Sequence, residues 1–345
     1  MLVYLIGKMM YGKEVGMIGA GMLAVFWSFL FFSYRMLVDV PVATLWLAAL
    51  YFFLKGYEHN HKKALWLSVP MIVLAFLMKF TGAVLGFIVI AYLLVTDKLK
   101  PLKNKELWIS LGFGIATIIP FLWYEWKKFG HPLAFYVSAI GGRAPSPRSG
   151  WQTLMDYIAT TLPHIHMVFL VLFVMGFAVM LFELVIGIDL LFKNKEKKLR
   201  SHLLMVLTFL VPFLYIVSLG YGSYIEERYL FIMYPFMLMI AAYAIMTVYH
   251  HLKKYNKIVA IVCVAILLTV GAYQNLAHAD KIIKAKKTSF IQVKEAGEWI
   301  KQHSNENALV YSFHTQAEMQ YHTERRVKGV AGNTPEELLS IIKEE

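Results

Sequence analysis

Long apolar runs alternate with short polar loops from the start of the chain to about residue 275. Runs of about 17 to 25 apolar residues are long enough to cross a bilayer as helices. Nine spans are predicted, at about 14–34, 40–55, 64–78, 82–96, 107–123, 166–191, 203–220, 229–249 and 257–275. A stub, "MLVYLIG", stands before the first and is too short to span. The third and fourth runs meet at "MKFTG" (78–82), which predicts a tight or partly re-entrant hairpin. A forty-residue loop, 124–163, separates the fifth and sixth runs. Its "WQTLMDYIATTL" segment has the spacing of an amphipathic interfacial helix, and loops of this length are commonly functional or disordered.

Beyond residue 275 the pattern changes. "SFIQVKEAGEWIKQHS" carries helical spacing through Phe290, Val293, Ala296, Trp299 and Ile300. "ALVYSF" (308–313) and "RRVKGV" (325–330) read as strands, with "TQAEMQYH" between them as a helix. "TPEELLSIIKEE" reads as a last helix capped by Thr334, with Pro335 at its first position. The predicted organisation is a transmembrane domain over 1–275 and a small α/β tail over 276–345. No internal repeat or low-complexity tract interrupts it.

Composition agrees with this pattern. The chain is 59% hydrophobic and 16% charged, against roughly 25% charged in soluble domains, so it is an α-helical polytopic membrane protein. Its net charge of +12 does not point to nucleic acid, because Lys and Arg gather in short loops between the runs. Loops alternate in charge: one set holds 17 Lys and Arg, the intervening set seven. The positive-inside rule makes the richer set cytoplasmic, and nine spans then leave the tail extracytoplasmic. The single Cys263 excludes a disulfide within the chain and a Cys-based metal site. No Walker A sequence and no G-x-G-x-x-G opening a helix is present.

The unusual ionisable groups all fall on the predicted outer side. Asp39 sits in "RMLVDVP", Lys79 in "MKFTG", and Arg228 in "YIEERYLFIMYP" beside Glu226, Glu227 and Tyr229. Charges near spans are expensive and mark candidate sites, yet each has a plain structural reading. Asp39 caps a helix start, Lys79 snorkels to the interface, and Arg228 pairs with a Glu of its own loop. Against that, an Arg fork next to a helix N-terminus suits a phosphate. His164 and His166 form a weaker, metal-binding candidate, since positions i and i+2 diverge on a helix and joint ligation needs an extended segment. Glu183 and Asp189, toward the inner end of the sixth run, read as structural. Phosphate chemistry on a side where nucleotides are scarce calls for a lipid-linked donor within the bilayer.

The segments "YLIGKMMYGKEVGMIGAGMLAVFWSFLFFSYRMLVDVPVATLWLAALYFFLKG", "AFLMKFTG" and "EERYLFIMYPFMLMIAAYAI", in that order, resemble the GT-C superfamily of polytopic glycosyltransferases. The nearest branch is the protein mannosyltransferase and aminoarabinose transferase group. The resemblance covers roughly residues 3 to 330, through motif order rather than any one strict motif. It implies transfer of a sugar, with inversion, from a polyprenyl- or dolichyl-phosphate carrier to a protein, lipid or glycan acceptor at the outer face of a prokaryotic plasma membrane. Asp39, after Ser33 and Arg35 and before Pro41, matches the family's second acidic position. Arg228 and Tyr229 match an R-Y pair near the lipid phosphate, and Lys79 a recurrent hairpin lysine. Arg35, Glu226 and Glu227 are supporting candidates, and a divalent metal ion is an optional cofactor. The family's first two helices and its principal acid loop have no counterpart in this sequence, so the chain is expected to start late and to be inactive if that loop is absent. The rival readings are a lipid-linked saccharide flippase or transporter, which would need polar groups deep in the spans, and a non-catalytic membrane subunit.

Overall fold

The computed structural model describes residues 1–33, 35, 37–141, 150–192, 196–218, 227–312 and 315–329. The expected last helix (334–345) and the loop residues Gly142, Arg143, Pro145, Pro147 and Arg148 lie outside them. The chain forms two compact units, Met1–Ala279 and Asp280–Glu345.

The first unit opens with a hairpin of α1 (Leu2–Tyr11) and α2 (Lys13–Val25). They are joined at Gly12, whose φ of 102° is open to glycine and strained for other residues. Phe26 is extended, so α2 and α3 (Trp27–Ser33) meet at a 58° bend. Next come α4 (Asp39–Phe53), a π-helical turn at Leu54–Glu58, α5 (Lys62–Leu65) and α6 (Ser68–Met78). A 3-10 turn, Phe80–Ala83, leads into α7 (Val84–Asp97), and α8 (Lys105–Phe129) follows. The long loop contains α9 (Ala134–Gly141) and α10 (Gly150–Thr161). The remaining helices are α11 (Met167–Ile186), α12 (Ile188–Phe192), α13 (Lys197–Ser218), α14 (Tyr234–Lys253) and α15 (Lys257–Lys286).

These helices are apolar on nearly every face, as a span surrounded by lipid and neighbours must be. The centre is α14, buried without interruption from Tyr234 to Ile245; α2, α11 and α13 pack on it. A second layer runs from α4 through α6 to α8, whose outer surface is exposed.

Among the described residues, seven helical segments are long and apolar enough to cross a membrane, or eight if the bent pair α2–α3 is one span. The hydrophobic pattern predicts nine, and the difference is 64–78. That run is divided, with Trp66 and Leu67 between α5 and the 11-residue α6. Pro70, in the first turn of α6, has no N–H to continue the α5 ladder. Even so, the run goes the full length of α4: it begins beyond Glu58 at the far end of α4 and ends where Lys79 meets Asp39 at the near end.

The second unit contains α16 (Ile291–His303), β1 (Leu309–Ser312), α17 (Gln316–Thr323) and β2 (Arg326–Gly329). Its two strands pair in parallel, with Leu309 opposite Arg326 and Ser312 opposite Gly329. These elements fall where the change of hydrophobic period placed them.

Candidate active site at the start of helix α4

Asp39 is the first residue of α4, where a carboxylate is favoured by the unpaired N–H groups and the positive end of the helix. It is nevertheless buried, 3% exposed, and a buried charge needs a partner. Lys79 supplies it, with Nζ 2.5 Å from Asp39 Oδ1. Lys79 leaves α6 in an extended conformation and starts the 3-10 turn Phe80–Ala83. That turn lies directly on α6, because a Cβ at Gly82 would stand 2.2 Å from the Ala75 carbonyl carbon. The indole N–H of Trp46 on α4 donates to the Gly82 carbonyl at 3.0 Å. Thus a small residue and one indole fix where the lysine can reach.

The Lys79 ammonium also lies over the Tyr229 ring, 5.4 Å from its centroid, and the Arg228 guanidinium is 5.7 Å from the same centroid. Both are within the range of cation–π attraction. Arg228 and Tyr229 belong to a 3-10 turn, Glu227–Leu230, just before α14 begins. Three distant segments therefore set out a row: Asp39, Lys79, Tyr229, Arg228. One carboxylate, two cations and a phenol can hold a hydroxylic group and an anion side by side.

The loop after α8 adds a wall. Tyr136 on α9 is buried, stacked on Phe76 at 4.8 Å and edge-on to Phe80 at 4.7 Å. Glu125, buried near the end of α8, accepts the Phe135 backbone N–H at 2.8 Å and holds α9 there. Burial, and then the Glu125 charge, push the Tyr136 phenol up. Glu125, Tyr136 and Trp46 were missed in the sequence reading; a glutamate two residues before the Lys127–Lys128 pair was the available signal.

Other expected residues fall differently. Arg35 is not in the row; its guanidinium lies over the Phe31 ring at 4.5 Å. Glu227 opens the turn that carries Arg228, whereas Glu226 lies outside the described residues. His164 and His166 do approach a third imidazole, His278, with centroids 5.8 and 4.8 Å away. Among the described residues, however, no group of three or more His, Cys, Asp or Glu side chains is placed to hold a metal ion. The His164 carbonyl instead accepts the Trp27 indole N–H at 2.6 Å.

At the other end of the unit lie two further polar clusters, one largely buried around Arg200 and one half-exposed around Glu183. Arg200 Nη2 bridges Asp97 at 2.9 Å and Glu58 at 2.6 Å. Glu183 binds Lys198 and His202, each at 2.7 Å, with Tyr11 on the second ring nitrogen of His202 at 3.1 Å. The structural reading of Glu183 fits this network. Arg200, counted in the sequence reading only as a loop charge, has two carboxylate partners.

The fold and site define a polytopic helical membrane protein with an ion-paired carboxylate and paired cations at one end. Residues 1–124 match the family described as dolichyl-phosphate-mannose-protein mannosyltransferase. That stretch, which includes Asp39 and Lys79, is about a third of the chain, and over it the chain is similar to that family. A comparison with curated proteins found no match.

Proposed function

We propose that this protein transfers a sugar, with inversion, from a polyprenyl- or dolichyl-phosphate carrier to an acceptor at the outer face of a prokaryotic plasma membrane, the tail lying on that same side. The observation that carries the reading is the row Asp39–Lys79–Tyr229–Arg228, because two cations and an acid from three segments converge at one end of the bundle. The acceptor, a hydroxyl of a protein, lipid or glycan, attacks the anomeric carbon as it gives up its proton to a carboxylate, Asp39 being the one the row supplies. The new C–O bond forms while the bond to phosphate oxygen breaks, and the electron pair stays on the lipid phosphate. Arg228 and Lys79 stabilise that departing charge, and Asp39 orients the acceptor.

Lys79 has two anions to serve, Asp39 in the resting pair and the lipid phosphate during transfer. The ionised clusters at the two ends, with apolar packing between them, suit a transfer enzyme better than a path through the membrane. The full chain in proteoliposomes, given labelled polyprenyl-phosphate sugar, tests the reading through the anomeric configuration of the product. An inverted product is expected, and a retained one would overturn the mechanism.

A further inference from the structure

A second binding feature lies between α2, α14 and α15. An apolar trench of about 600 Å³ is lined by Met17 and Ile18 on one side and Ile261 and Leu268 on the other. It continues, through Met17, Ile18 and Leu268, into a cavity of about 300 Å³ that passes Gly21 and reaches Val25. From Glu14 to Val25 the helix rises about 17 Å at about 1.5 Å per residue. Half of the roughly 30 Å hydrocarbon core is about 15 Å, so the trench is one leaflet deep.

Its mouth is polar. Glu14 and His250 line both the trench and a neighbouring cavity of about 440 Å³, which also contains Lys198 and Lys254. Lys253 stands at the trench itself. Glu183 pairs with Lys198 at 2.7 Å, so among the described residues lining the two cavities Glu14 is the carboxylate left to face Lys253 and Lys254, and the mouth is positive even with neutral imidazoles. The mouth lies at the end of α14 opposite Tyr229 and Arg228, about 30 Å away by helix rise over its 20 residues.

We propose that this trench binds one glycerophospholipid with an anionic headgroup, its phosphate at Lys253, Lys254 and His250 and one acyl chain lying past Gly21. Ordinary bilayer lipid touches every apolar face; a concave track one leaflet deep with a basic mouth selects for a headgroup. The site is separate from the proposed donor site and does not rest on it.

Native mass spectrometry of the full chain in detergent, titrated with phosphatidylglycerol or phosphatidylcholine, tests this. Phosphatidylglycerol should be retained preferentially, and K253Q/K254Q should weaken it about thirtyfold, two lysines at the strength of a membrane-surface charge contact, with little change for phosphatidylcholine. Gly21→Phe should displace the lipid without disturbing the core, because a Cβ at Gly21 meets no atom within 4 Å. Equal retention of the two lipids, wild-type retention by either variant, or a polyprenyl phosphate that displaces phosphatidylglycerol from this mouth would each overturn the assignment.

Discussion

Lys79 and Asp39, forty positions apart, form an ion pair, its carboxylate buried and its lysine partly so, that joins the end of α6 to the start of α4. Removing one member of such a pair leaves an uncompensated buried charge and costs about 3–5 kcal/mol, whereas removing both is much milder. Lys79→Met should therefore lower the thermal unfolding temperature more than the double variant D39N/K79M does. Additive losses in a double-mutant cycle would mean that the pair is not coupled in the folded protein.

The turn that presents Lys79 depends on a missing side chain. Gly82→Ala places a Cβ 2.2 Å from the Ala75 carbonyl carbon, against backbone that cannot rotate away. Overpacking of this kind costs about 1–3 kcal/mol, read as a fall in unfolding temperature. Gly112→Ala on α8 is the control, since nothing lies within 4 Å of its Cβ. That substitution should be neutral or stabilising through helix propensity, by up to about 1 kcal/mol. Equal behaviour of the two variants would show that Gly82 is not tightly packed.

Arg200→Leu tests the opposite end. It strands Asp97 and Glu58, both partly or wholly buried, and should destabilise by about 3–5 kcal/mol. The exposed pair Lys284–Asp280 is the contrast: Asp280→Ala should change stability by less than about 0.5 kcal/mol. Unfolding temperatures of the two purified variants, measured side by side, check both.

The arrangement of these pairs shows what could be read from the chain and what could not. Alternating loop charge assigned Asp39, Lys79 and Arg228 to one side, and in the structure Lys79 meets Asp39 and shares the Tyr229 ring with Arg228. Glu58, Asp97 and Arg200, from loops assigned to the other side, also meet. The bend at "MKFTG" was visible as a glycine between two short runs. Within runs that are apolar on every face, however, periodicity does not say which face packs where. The 58° break at Phe26, the division of 64–78 and the approach of His278 to His164 and His166 were hidden for that reason. Partners such as Trp46 and Gly82, or Glu125 and Phe135, depend on helix packing that no local pattern encodes.

Tyr229 is shared by two cations, so its ring should matter for how they are held. Replacing it with Phe keeps the aromatic face and should preserve donor turnover within a few-fold, whereas Leu removes that face, worth about 0.5–2 kcal/mol per cation. Initial rates of sugar transfer for Y229F and Y229L compare the two. Equal rates for both would show that the aromatic face has no part in the site.

The most direct test of the central claim is sugar transfer by an Arg228→Ala variant of the full chain in proteoliposomes, with donor concentration varied. If Arg228 stabilises the departing lipid phosphate, turnover should fall about 10²–10³-fold, the range for losing one charge-stabilising donor. The apparent donor affinity should change less. Wild-type turnover by that variant would contradict the account.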